Sequence, residues 1–172
     1  ALVPPLAPGA DEVSVVRIFA TDAEYEAYVG AAQSWSAGLF DASRRELVIR
    51  PSSVSGRGER MQAAQRTALH EGFHQYLFQA TGGLQASPWF NEGHATFFEV
   101  VDPDARRIEI AEHPGHTRVL ERLVATPGFS LRPLLAMDYP AFYGGTDAQR
   151  QAQYSLAWGL VYYLQRGAPL ER

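Results

Sequence analysis

The stretch TALHEGFHQYLFQATGG, residues 67–83, carries two histidines four positions apart, with a glutamate directly after the first. Around it, residues 59 to about 80 are rich in Ala, Gln, Leu and Arg, all good helix formers. Gly82 and Gly83 then stand where a helix C-cap recruits glycine. On such a helix residues i and i+4 share a face, so His70 and His74 can direct both imidazoles at one ion. Zinc takes histidine nitrogens at about 2.0–2.1 Å, and one helical turn allows two of them. Glu71 falls about 100° round the helix, beside the ion rather than on it. A carboxylate there can hold a metal-activated water. The rival reading is a helix whose polar residues merely face solvent or fill a core, and the HExxH pattern alone leaves both open.

A second stretch, SPWFNEGHATFFEV at 87–100, bears on that choice. Ser87 reads as an N-cap and Pro88 as the first helical residue of a helix that Pro103 ends. This helix is aromatic on most sides, yet Glu92, Thr96 and Glu99 recur at i, i+4 and i+7 as one polar stripe. Buried carboxylates are costly without partners, so the stripe calls for a histidine, an arginine or a cation opposite it. A zinc ion held by the preceding helix would be such a cation. A stripe facing water is the plain alternative.

The two stretches together resemble the signature of the gluzincin metallopeptidases, in which HExxH is followed by an N-E-G-x-A helix carrying a third, glutamate ligand. WFNEGHATFFE is similar to the corresponding helix of the aminopeptidase branch. Over residues 13–166 the chain most resembles the uncharacterised bacterial domains grouped as peptidase-MA-like, through a GLFD…RRELVI hairpin before the metal helix and a YSLAWGLVYYL helix after it. The resemblance implies a zincin-like fold with one catalytic Zn2+ held by His70, His74 and Glu92. It also implies Glu71 as general base, Tyr154 as an oxyanion-stabilising hydroxyl and Glu99 as a support for a ligand histidine. For Tyr154, an ordinary core aromatic is the competing reading. Seventeen residues separate His74 from Glu92, one fewer than is usual in aminopeptidases, and the Gly82, Gly83 and Pro88 loop can absorb that. No Gly-x-Met-Glu-Asn element precedes the metal helix, so exopeptidase specificity does not carry over. Ala80 stands where a metzincin places its third histidine, which excludes that subclass.

Outward from these helices, VSVVRIF at 13–19 reads as a strand. Thr21 and Glu24 have capping-box spacing ahead of the helix DAEYEAYVGAA. Short strands follow at about 38–40 and 46–50, joined by an Asp-Ala-Ser-Arg turn, and SSVSGRG reads as a flexible loop. RELVIRP is a candidate edge strand along which an extended peptide could lie, unless Arg44, Arg45 and Arg50 simply protect that edge from aggregation. A short strand is expected at 107–110, helices at TRVLERLVAT and LRPLLAM, and a buried final helix capped by Thr146 or Asp147. His94 should face away from the metal, and His113 and His116 read as surface histidines or a loop site. The fold class is α+β: a small N-terminal mixed sheet with helices, the long HExxH helix, then a mainly helical C-terminal lobe. Residues 1–12 form a Pro/Ala-rich lead-in, and 13–172 a single zincin-like domain.

Composition narrows the function classes. With 46 % hydrophobic and 20 % charged residues the chain should form a globule. A net charge of −4 without a basic stripe argues against nucleic acid. No run of eighteen apolar residues predicts a membrane span, and the lead-in is compatible with a processed, exported chain. All 15 basic residues are arginine, which removes lysine chemistry, and with no cysteine there are no disulfides or thiolate ligands. The expected function is zinc-dependent hydrolysis of peptide bonds by a zinc-bound water, on a peptide or protein substrate. The alternatives are a non-catalytic zinc-binding peptidase-like module that recruits a partner protein, hydrolysis of another electrophile, and a metal-free helical interaction domain.

Overall fold

The computed structural model describes residues 14–51, 56–101 and 111–167. Among these the protein is mixed α+β, with one three-stranded sheet and seven α-helices. It divides into two compact units, residues 1–84 and 85–172. The lead-in at 1–12, most of the SSVSGRG loop and the expected strand at 107–110 lie outside the described residues.

In the first unit, β1 (Val15–Ile18) pairs in parallel with β3 (Glu46–Ile49), and β3 pairs antiparallel with β2 (Gly38–Asp41). The sheet order is therefore β1-β3-β2. The expectation that RELVIRP forms an edge fails, because β3 is the central strand. Its residues Leu47, Val48 and Ile49 are all buried, and an unbroken apolar run is what a strand covered on both faces shows. The flanking arginines serve local contacts instead. Arg50 pairs with Asp22 and Glu26, each at 2.7 Å, and Arg44 lies over the Tyr28 ring at 4.9 Å. The β2–β3 turn closes on Asp41, whose Oδ1 accepts from the Ser43 and Arg44 backbone N–H groups at 2.9 and 3.1 Å.

Helix α1 (Asp22–Val29) starts with the expected capping box of Thr21 and Glu24. It stops at Gly30, φ +76°, rather than running on through the following alanines. Helix α2 (Arg57–Ala80) is the HExxH helix. Gly82 and Gly83 follow it with φ +63° and +85°, and the Gly83 N–H donates to the Phe78 carbonyl at 2.7 Å. Strand β2 lies close against α2: a Cβ on Gly38 would stand 2.5 Å from Thr67 Cγ2 and 3.3 Å from Glu71 Cγ. Glycine is required there because the strand passes directly over the motif.

The second unit is helical. It holds α3 (Pro88–Phe98), α4 (Pro114–Val124), α5 (Arg132–Ala136), α6 (Tyr139–Tyr143) and α7 (Asp147–Tyr162), which runs into a π-helical turn at Tyr163–Gly167. Ser87 takes the N-cap position in extended backbone without a side-chain capping bond, and α3 ends at Phe98, well before Pro103. Thr146, not Asp147, caps α7, accepting from the Gln149 N–H at 3.3 Å. Helices α3 and α7 pack so closely that a Cβ on Gly93 would meet the Ala157 carbonyl oxygen at 2.5 Å. Phe97, Trp158 and Val161 form one core cluster, and Leu134, Phe142 and Ala157 another. No described helix is long and apolar enough to cross a membrane.

Candidate metal centre

Helix α2 sets His70 and His74 one turn apart, with ring centroids 4.9 Å apart and planes at 79°. Both are half-buried. Glu92, on α3, is 2 % exposed. One ligand atom from each of His70, His74 and Glu92 lies within 4.8 Å of the other two, so this trio can hold a metal ion. Donors around a tetrahedral zinc at about 2.0–2.1 Å stand roughly 3.4 Å apart. A grouping within 4.8 Å is of the order of that spacing, and side-chain rotations can adjust it. Two imidazoles and a carboxylate suit zinc and other first-row divalent ions, and three protein ligands leave a coordination position for water or substrate.

Glu71 follows His70 on α2 and is 6 % exposed. Its carboxylate is close enough to the buried Tyr25 to help raise that hydroxyl's pKa, although burial is the larger cause. Three of the sequence-derived site residues, His70, His74 and Glu92, are thus grouped closely enough to hold one ion, and Glu71 is a buried carboxylate on the residue next to the first histidine.

The surroundings of Glu92 hold a group that sequence reasoning missed. Tyr143, at the end of α6, donates its hydroxyl to Glu92 Oε1. One turn earlier on the same helix, Tyr139 accepts from Asn91 Nδ2 at 3.0 Å and donates to the Ala86 carbonyl at 3.1 Å. Burial, then the Glu92 carboxylate, push the Tyr143 pKa far above the usual phenol range, so its proton stays in place to be donated. The available signal was the Tyr-x-x-x-Tyr spacing in DYPAFYGG behind an Asp138 cap. A five-residue helix, however, offers too little periodicity to announce itself.

Tyr154 lies on α7 with its ring edge-on to Phe142 at 5.2 Å, near enough to Tyr143 to add to the rise in that hydroxyl's pKa. Of the polar stripe, Glu92 and Thr96 are buried, and Thr96 Oγ1 has no hydrogen-bond partner among the described residues. Glu99 Oε2 stands 3.7 Å from His113 Nε2. His94 places Nδ1 2.8 Å from the Phe90 carbonyl, and burial lowers its pKa, favouring the neutral ring of a packing residue. The surface expectation for His113 and His116 fails. Both are half-buried: His113 caps α4, and His116 stacks on Trp158 with Nδ1 2.9 Å from Ser155 Oγ. Nothing in the local sequence around either residue marks such burial.

Comparison with protein-family models, with curated proteins and with solved structures finds no match. The functional reading rests on the residues of this chain.

Proposed function

We propose that the protein is a zinc-dependent peptide-bond hydrolase of the gluzincin type, with His70, His74 and Glu92 as metal ligands and Glu71 as general base. The observation that carries the reading is the approach of the three ligand atoms to within 4.8 Å, with a buried carboxylate on the residue next to His70. A zinc held by His70, His74 and Glu92 would supply Lewis acidity, able to acidify water to a pKa near 7 and polarise a substrate carbonyl. The chain's own residues do the rest. The two imidazoles act as neutral donors, and the Glu92 carboxylate offsets part of the ion's charge. Glu71 takes the proton from the attacking water on a carboxylate oxygen and passes it to the departing amine. Tyr154 is the proposed oxyanion donor.

The reading extends to a place for the substrate. Among the described residues β2 pairs only with β3, so its other edge can accept an extended peptide as an added strand. Gly38, at the start of β2, passes directly beside Glu71. A peptide bound there would run along the motif helix.

The test is hydrolysis of casein or a random peptide library by the purified protein. Activity should disappear with a chelator, return with zinc and be absent in Glu71→Gln. Zinc binding with no hydrolysis on any peptide would instead favour a non-catalytic metal-binding module.

A further inference from the structure

Helix α6 is the shortest kind of helix in the fold, five residues, yet both of its tyrosine hydroxyls are spent on adjacent residues of α3. Tyr139 and Tyr143 are one turn apart, with ring centroids 5.7 Å apart. Their partners, Asn91 and Glu92, are consecutive on α3, so the two hydrogen bonds fix both the axial position and the rotation of α6 on that helix. Asp138 anchors the start of α6 by accepting from the Ala141 N–H at 2.9 Å. Phe142, between the two tyrosines, is fully buried against Leu134 and Ala157. The helix is thus locked by its core residue while its polar residues reach one carboxylate and the amide beside it.

A carboxylate on a free side chain samples several χ angles, and a metal must restrict it on binding. A donor already on Oε1 removes much of that freedom and sets the plane in which the carboxylate presents its remaining lone pairs. Outer partners of this kind orient ligands and tune metal affinity. We propose that Tyr143 is the positioning residue of the metal centre: its hydroxyl holds Glu92 in ligating orientation, and the Tyr139–Asn91 bond sets α6 so that it can. This rests on the reading of His70, His74 and Glu92 as ligands.

The experiment measures zinc affinity by competition with a chromophoric chelator for the wild type, Tyr143→Phe and Tyr139→Phe. Cobalt(II) absorption spectra and thermal melting of the metal-free proteins accompany it. Tyr143→Phe should weaken zinc by about 10–100-fold and alter the cobalt d–d bands, in a metal-free protein that still unfolds cooperatively. Tyr139→Phe should weaken zinc in the same direction by less than about tenfold. Wild-type affinity and an unchanged cobalt spectrum in Tyr143→Phe would overturn the positioning role while leaving the ligand reading intact. If Tyr143→Phe does not fold, unchanged zinc affinity in Tyr139→Phe would overturn it instead. A wild-type protein that binds no zinc overturns both readings together.

Discussion

At the scale of single residues the proposed function sets Glu71 apart from its neighbours. His70 and His74 are asked to bind, and Glu71 to move a proton, so substitutions should separate the two tasks. Glu71→Gln should retain zinc within a few-fold of wild type while turnover falls by at least about 10²-fold, the scale of a lost general base. His74→Ala should lose the metal, and activity with it. Parallel zinc titrations and peptide-hydrolysis assays check both, and a Glu71→Gln protein with undiminished turnover would end the general-base role. These residues were legible in the sequence because HExxH spacing is dictated by the helix itself, which holds wherever the helix lies. The Tyr143–Glu92 hydrogen bond was not legible, because it depends on where a five-residue helix docks, and no local pattern encodes docking. His116 escaped for the same reason: its neighbours Ser155 and Trp158 come from a helix 39 and more residues away.

At the scale of elements, two glycines make opposite predictions. Gly93 faces α7, and its missing Cβ leaves room for the Ala157 carbonyl, a backbone atom that cannot step aside. Gly93→Ala should therefore destabilise the protein by about 1–3 kcal/mol, the usual scale of overpacking. Gly72, inside α2, has no atom within 4 Å of its would-be Cβ. Gly72→Ala should leave stability unchanged or raise it by up to about 1 kcal/mol through helix propensity. Urea unfolding midpoints of the two variants decide the matter, and a tolerated Gly93→Ala would contradict the tight α3–α7 contact. Element starts were readable where chemistry marks them, as at Thr21, whose capping box forms as its sequence suggests, and at Thr146, one of the two caps open to the last helix. Element ends were less so. Helix α3 stops at Phe98, and the chain goes on in turns whose Glu99 and Val101 N–H groups donate to the Thr96 and Phe98 carbonyls, each at 3.2 Å. The reading of RELVIRP as an edge strand gave too little weight to its apolar run, which is buried in the central strand β3.

At the scale of the whole molecule, the sheet unit carries a pH dependence of its own. Hydrogen bonds from Arg17 and Tyr28 hold the Glu46 carboxyl below its ordinary value, and the Ser43 hydroxyl, with backbone N–H groups, does the same for Asp41. The unfolded chain binds protons more readily at both sites. The stability these groups contribute is therefore fully present above their ordinary pKa values of 4.5 and 3.8 and lost as pH falls through the lowered ones. Between pH 5 and acid, the unfolding midpoint should drop, and a Glu46→Gln, Asp41→Asn double variant should show a flatter decline. An equally steep decline in that variant would assign the acid sensitivity elsewhere. The α+β class was legible as strands preceding helices, and the metal trio as two spaced motifs. That those motifs converge was an expectation taken from resemblance, and the 4.8 Å grouping is the observation that gives it a physical footing.

The proposed metal centre is tested most directly by metal content from elemental analysis, run on the wild type and on His70→Ala, His74→Ala and Glu92→Ala after identical zinc loading and desalting. About one zinc per wild-type chain and a large loss in each of the three variants are expected. A wild type that retains no zinc, or variants that retain it as fully as the wild type, would contradict the proposed centre.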